Sequence, residues 1–283
     1  MIDMEQPMTT DVKESQWMDG RTGYHSPSTA ALPDRYPYGY RTVAQVQPGG
    51  STDYEYIPLT QADFLDPQVG DHFVQSDQHI KLMFSLMGRF IQYYRHDPTV
   101  GVFGDLKMLW GMPGEKEPAP DVAIVPNLKN HEAYRSSFNV VAEETRPCLV
   151  IEIMSPQYPG DDTVKVGIYE RAGIEEYLII NPHFEKEDGE IDLTGYRLQN
   201  GRYRKIAPDA KGRIFSATTN IWFELDAAKR TLTLVDGRTG KRLLTHDEEH
   251  DERLAAEERA AAERQRAEAA EAELARLRKL YGV

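Results

Sequence analysis

The sequence is poor in the features that stabilise secreted or membrane proteins. Its 283 residues include one cysteine, Cys148, which excludes a disulfide framework and a cysteine-based zinc site and fits a reducing cytoplasm. No uninterrupted apolar run approaches the ~20 residues of a membrane helix, and the opening stretch, MIDMEQPMTTDVKESQ, lacks the basic and apolar regions of a signal peptide. There is no Gly-rich phosphate loop with a following Lys-Ser/Thr, no Gly-x-Ser-x-Gly elbow and no kinase signature. Positive charge is also short, with 33 Lys+Arg against 46 Asp+Glu and a net of −13. Taken whole, that balance argues against a polyanionic partner. Its distribution removes the objection: residues 1–70 hold 10 acids and 4 bases, and residues 246–283 hold 11 acids and 7 bases. The body, 71–245, has 25 acids and 22 bases, a net of only −3.

Apolar residues make up 40% of the chain, enough for a core. Residues 1–70 are rich in Pro, Gly, Ser, Thr and Tyr without helical or strand periodicity, which predicts an extended or partly disordered arm. Within 71–245 a helix is expected at about 77–95, where Ile80, Met83, Phe84, Met87, Phe90, Ile91 and Tyr94 recur at three and four. Short strands are expected at Val100–Phe103, Leu106–Leu109 and Val122–Val125, and a longer one at Cys148–Met154, ended by Ser155-Pro156. Asp161 to Ala172 reads as a helix with Asp161, Asp162 or Thr163 as N-cap and Gly173 as the left-handed cap. A strand at Glu176–Ile180 completes a strand–helix–strand crossover in a central mixed sheet. Asn200-Gly201 marks one hairpin, and Asp236-Gly237 is expected to join Thr231–Val235 to Arg242–Thr245 in another. Residues 246–283 read as a charged Ala/Glu/Arg-rich helix. A seam through Ala256, Ala260, Glu263, Ala267, Ala270, Leu274, Leu277 and Tyr281 suggests a weak dimerisation coil, hence a homodimer.

Chemistry is concentrated in three short motifs: Pro120-Asp121-Val-Ala-Ile-Val, Leu149-Val-Ile-Glu152-Ile-Met-Ser155, and Asp161-x-x-x-Lys165-x-x-x-Tyr169. Glu152 lies in the most apolar strand, where a lone carboxylate would cost several kcal/mol unless paired or metal-bound. Neighbouring strands could bring Asp121 beside it, forming a two-carboxylate site of the kind Mg²⁺ uses together with a carbonyl and waters. Lys165 could reach back from its helix to position water and offset phosphate charge. Plainer roles stand beside these. Asp121 could be turn chemistry, Glu152 could form a structural ion pair with Lys165, and Asp161 could be an N-cap. Tyr169 could pack, and His79 could be a surface group at the start of its helix. His246-Asp-Glu-Glu-His250 departs from the helical zinc motif at Asp247. Arg197, Arg202, Arg204 and Lys205 read as a solvated hairpin face.

The order of these motifs resembles the Uma (type two) family of restriction-endonuclease-like proteins, in the PD-(D/E)xK nuclease superfamily. The resemblance extends over Tyr36-Pro-Tyr-Gly-Tyr, Pro58-Leu-Thr-x-x-Asp63, Asp66-Pro-x-x-Gly70-Asp71, His79, Ala172-Gly173-Ile174-x-Glu176-Tyr177, Gly195-Tyr-Arg-Leu and Gly240-Lys-Arg-Leu-Leu-Thr. It implies an α/β, restriction-endonuclease-like core: a central mixed sheet flanked by helices, followed here by C-terminal β-hairpins and a long C-terminal helix. It further implies DNA phosphodiester hydrolysis with Mg²⁺ or Mn²⁺ held by Asp121, Glu152 and the backbone carbonyl of Ile153. Asp161, His79 and Tyr169 would sit behind these ligands or touch substrate. The superfamily lysine stands two residues after the acid; that position is Met154, and Lys165 is the matching candidate for a migrated lysine. The alternative is a nuclease-fold interaction protein without catalysis, dimerised through its C-terminal coil.

Overall fold

The computed structural model describes residues 36–68, 70–155, 160–183, 190–228 and 230–282; the rest of the expected arm and Pro156 lie outside the described residues. The chain divides into two compact units, Met1–Thr60 with Val69–Val74, and Gln61–Gln68 with Gln75–Val283.

In the first unit β1 (Gly39–Val46) pairs antiparallel with β2 (Thr52–Pro58) and with β3 (Asp71–Phe73). Strands therefore occupy part of the stretch read above as lacking strand periodicity. Both β1 and β2 are half-buried or exposed along most of their length, so neither needs an apolar face and no alternation betrays them. Gly39, at φ +105°, is required: a Cβ there would lie 1.9 Å from the His72 carbonyl oxygen.

The second unit holds the expected mixed α/β architecture. After the single turn α1 (Gln61–Phe64) comes α2 (Asp77–Tyr94), whose N-cap Ser76 accepts a hydrogen bond from the His79 amide. Then follow β4 (Gly101–Phe103), β5 (Met108–Leu109), β6 (Val122–Val125), β7 (Phe138–Asn139) and β8 (Leu149–Ile153). Next are α3 (Val164–Arg171), β9 (Glu176–Asn181), β10 (Asp192–Gln199) and β11 (Arg202–Lys205). The central sheet runs β11-β10-β9-β8-β6-β4, antiparallel except for β8 beside β9, the two strands joined through α3. One face packs Val122, Ile124, Leu149 and Ile151 against Met83, Leu86 and Phe90 of α2. The other packs Ala123, Val150, Tyr177 and Ile179 against Tyr169 and Ala172 at α3. Strands alternate between two apolar environments, so their sequences are almost continuously apolar.

Asn200 and Gly201 have φ of +51° and +75°, as a type I′ turn demands, and β10 pairs with β11 as expected. The second expected hairpin is reduced to one bridge, Val235 to Arg242. Its first strand instead pairs along its length within a separate sheet of β12 (Ile214–Ser216), β13 (Ile221–Leu225) and β14 (Leu232–Asp236). The buried row of α2 is His79, Met83, Leu86 and Phe90, while Phe84 and Ile91 are 61% and 52% exposed. Adjacent apolar rows satisfy the same helical spacing, and packing against the sheet selects one of them.

The long helix α4 (His246–Tyr281) begins with a capping box between Thr245 and Glu248. The acids of its first turn have partners: Glu248 pairs with Arg89, and Glu249 pairs with Arg95 and accepts a hydrogen bond from Gln92. The His-Asp-Glu-Glu-His run thus serves a helix start. Among the described residues no helix is long and apolar enough to cross a membrane.

Candidate active site

β6 and β8 pair antiparallel with Val122 opposite Ile151 and Ala123 opposite Val150. Continuing that register sets Asp121 across from Glu152, both on the sheet face covered by α3. The two acids are fixed by different partners. Asp121 accepts a hydrogen bond from the Ile153 amide at 2.7 Å, and its other oxygen lies 3.0 Å from His79 Nε2. Glu152 accepts one from the Tyr169 hydroxyl at 2.5 Å and lies 3.0 Å from Lys165 Nζ. Lys165 also lies 2.8 Å from Asp161 and stacks its ammonium 4.5 Å from the centre of the Phe64 ring. All six named residues from the sequence, His79, Asp121, Glu152, Asp161, Lys165 and Tyr169, are buried and converge here.

Two plain readings are displaced by this geometry, and the packing reading of Tyr169 is extended. His79 is a buried partner of Asp121, not a surface group. Thr163 occupies the N-cap position of α3, leaving the Asp161 carboxylate to Lys165, while the Asp161 carbonyl accepts the Tyr177 hydroxyl. Tyr169 packs edge-on against Trp110 and also donates to Glu152. Of the basic hairpin residues, Arg197 is tied to buried Glu176 and Arg202 to Glu170.

The cluster has more negative than positive charge. Burial pushes the Glu152 carboxyl well above its usual range, against the opposing pull of Lys165. Burial raises Asp161 in the same way. Burial would also raise Asp121, but the His79 hydrogen bond, the His79 and Lys165 charges and the Ile153 amide hold it below its ordinary value. Burial would lower His79 and Lys165; the surrounding carboxylates outweigh it and raise both. Neither short contact of Lys165 is aligned as a hydrogen bond, so its ammonium and Asp161 Oδ1 have a charge partner without a directed one.

Asp105 also lies beside the cluster. It follows Gly104, where a Cβ would meet Met87 Sδ at 2.1 Å and the Asp121 carbonyl oxygen at 3.2 Å, so glycine lets this turn approach the site. Asp105 has φ +48°, and its amide donates to the Pro120 carbonyl. Surrounding protein, with the Asp121 charge adding to it, pushes its carboxyl up to about 6. The residue is nonetheless solvent-exposed, and that contact screens the effect, so the carboxyl is ionised at neutral pH. Sequence offered only a Gly-Asp turn signal for it. Phe64 and Trp110 were equally unmarked.

Among the described residues no group of three or more His, Cys, Asp and Glu forms a ready-made metal cage. Two facing carboxylates with a neighbouring backbone carbonyl still suit an oxygen-seeking, water-retaining cation, and a divalent charge would neutralise the surplus of buried carboxylate. The donor set fits Mg²⁺ or Mn²⁺.

No curated protein matches the chain. Among solved structures, it is similar to a putative nuclease of the DUF820 group from Anabaena variabilis, with 18% identity and a TM-score of 0.36 over 54% of this chain and 87% of that one. The family model described as "Uma2: Putative restriction endonuclease" matches residues 69–228, which include Asp121, Glu152, Lys165 and every other residue of the cluster except Phe64. The chain belongs to this Uma2 family.

Proposed function

We propose that the protein is a divalent-metal-dependent endonuclease that hydrolyses DNA phosphodiester bonds in the cytoplasm, as a homodimer. The observation carrying this reading is the reach of Lys165 from α3 to within 3.0 Å of Glu152, opposite Asp121, with Met154 in the usual in-strand lysine position. That reach supports the nuclease reading in spite of the sequence departure at Met154.

Asp121, Glu152 and the Ile153 carbonyl would hold Mg²⁺ or Mn²⁺. When bound, the ion supplies Lewis-acid charge at the scissile phosphate and makes water a stronger nucleophile. Lys165 keeps its proton and sets a positive charge where the attacked phosphate gains negative charge. Asp161 and Phe64 hold that ammonium in place. His79 orients one Asp121 oxygen while the Ile153 amide occupies the other, and Tyr169 orients Glu152. Exposed Asp105 lies at the solvent side, where it would repel a phosphate that arrived without its cation.

Supercoiled plasmid incubated with full-length protein and Mn²⁺ or Mg²⁺ tests this. Nicking is expected, and Lys165→Ala should lower the rate by about 10²–10³-fold, the usual effect of removing one group that stabilises transition-state charge. Calorimetry should show Mn²⁺ uptake that is lost in Asp121→Asn. DNA left intact by folded wild-type protein across salt and pH refutes the enzymatic reading; RNA cleaved in its place corrects the substrate.

A further inference from the structure

Among the described residues, every position of α4 from Asp251 onward is exposed, so the greater part of this 36-residue helix has no partner within its own chain. We propose that it pairs antiparallel with α4 of a second copy, in the register that places Ala260 against the partner's Leu277. This inference rests on the self-association stated above and is independent of the nuclease chemistry.

The register follows from size and charge. Starting from Ala260 against the partner's Leu277, antiparallel chains place Ala256 against the partner's Tyr281 and Ala267 against the partner's Ala270. Each large side chain of those layers meets an alanine, which lets the helices approach closely. The remaining layer sets Glu263 against the partner's Leu274 and is the weak one. Beside the seam, Arg264 faces the partner's Glu271, Arg266 faces the partner's Glu273, and Glu257 faces the partner's Arg278. Two-fold symmetry repeats each of these pairs, and all of them join opposite charges. Parallel chains would keep two attractive flanking pairs, Arg266 with the partner's Glu271 and Glu273 with the partner's Arg278, but would oppose Glu263 to the partner's Glu263 inside the seam and set Arg259 beside the partner's Arg264, both repulsive. Within one chain Arg276 pairs with Glu273 at 2.9 Å and Arg253 with Glu257 at 3.9 Å. These exposed pairs are weak competitors.

Orientation decides where the two nuclease bodies sit. At 1.5 Å per residue, antiparallel pairing separates the two Thr245 N-caps by roughly 70 Å along the rod. Parallel pairing would set them about 10 Å apart.

The experiment mixes full-length Ala260→Cys and Leu277→Cys proteins under oxidising conditions. Buried Cys148, its thiol pushed up by burial to about 11, stays out of the exchange. Disulfide dimers are expected between the two variants and not within either. Cross-linking of Ala260→Cys to itself means parallel chains and overturns the inference while leaving self-association intact. Protein that sediments as a monomer at micromolar concentration overturns both. In a second arm, Arg264→Glu/Arg266→Glu should weaken the dimer by about tenfold or more. Mixing it with Glu271→Arg/Glu273→Arg should restore association. Unchanged affinity in the first double variant refutes the register. Plasmid nicking by the same proteins reports on the nuclease reading separately.

Discussion

Replacing Lys165 by methionine keeps most of the side-chain volume and removes the charge that balances the acid cluster. The ammonium lies 3.0 Å from Glu152 and 2.8 Å from Asp161, and all three side chains are buried. Breaking a buried pair by deleting one partner costs roughly 3–5 kcal/mol, because the remaining charge is left without compensation. The contact with Phe64 adds about 1 kcal/mol more. That cost depends on pH in a definite direction. Burial already raises Glu152 above its ordinary 4.5, and loss of Lys165 raises it further. A carboxyl with a raised folded-state value favours folding when protonated, so its cost is absent below pH 4.5 and grows as pH rises toward that folded-state value. Urea titrations followed by tryptophan fluorescence, to which Trp110 packed against Tyr169 contributes, should show a deficit at pH 8 that shrinks markedly at pH 5. Adding Glu152→Gln to the variant should recover most of the loss, since no lone carboxylate then remains at that position. A deficit under about 1 kcal/mol at pH 8, or one equal at both pH values, would refute the assignment of Lys165 as the counter-charge of this cluster.

Three further outcomes are expected. Tyr169→Phe deletes the donor 2.5 Å from buried Glu152 and should destabilise the second unit by about 1–3 kcal/mol in the same urea assay, with near-native spectra. Glu176→Gln removes a buried carboxylate that accepts from Ser216, Thr218, Arg197 and the Ala217 amide; these bonds outweigh burial and hold its pKa below the ordinary 4.5. Its stabilisation is therefore present above pH 4.5 and lost as pH falls through the lower folded-state value, so acid titration of the variant should lack that part of the wild-type decline. Gly39→Ala drives a Cβ into the His72 carbonyl, whereas Gly50→Ala meets nothing within 4 Å; hydrogen exchange in β1 should accelerate far more in the first, by an opening cost of roughly 2 kcal/mol or more.

How much of the site was legible depended on sequence distance. Asp121, Glu152 and Lys165 stood out because a carboxylate in a wholly apolar strand, or a lysine on a helix leaving such a strand, has few inexpensive explanations. Asp105 and Phe64 carried no such contradiction: an aspartate after glycine reads as a turn, and a phenylalanine in a short helical turn reads as packing. His79 reads in sequence as a surface group because the first turn of a helix is usually wet. Its burial depends on a contact with Asp121, 42 residues away.

The sequence alone determined the crossover β8–α3–β9, the β10–β11 turn, the positions of strands β4 and β6 and the start of α4. Each of these is set by local chemistry: apolar runs, Asn-Gly, and an unbroken Ala/Glu/Arg-rich stretch. Only the tertiary structure decided which row of α2 faces the sheet, that β14 belongs with β12 and β13, and that Asp161 serves Lys165. Those choices depend on which long-range surface removes the most apolar area from water and which buried charge finds a partner. The acid count shows the same division. Its total of −13 is written in the chain, but only folding gathers Asp121, Glu152 and Asp161 around Lys165.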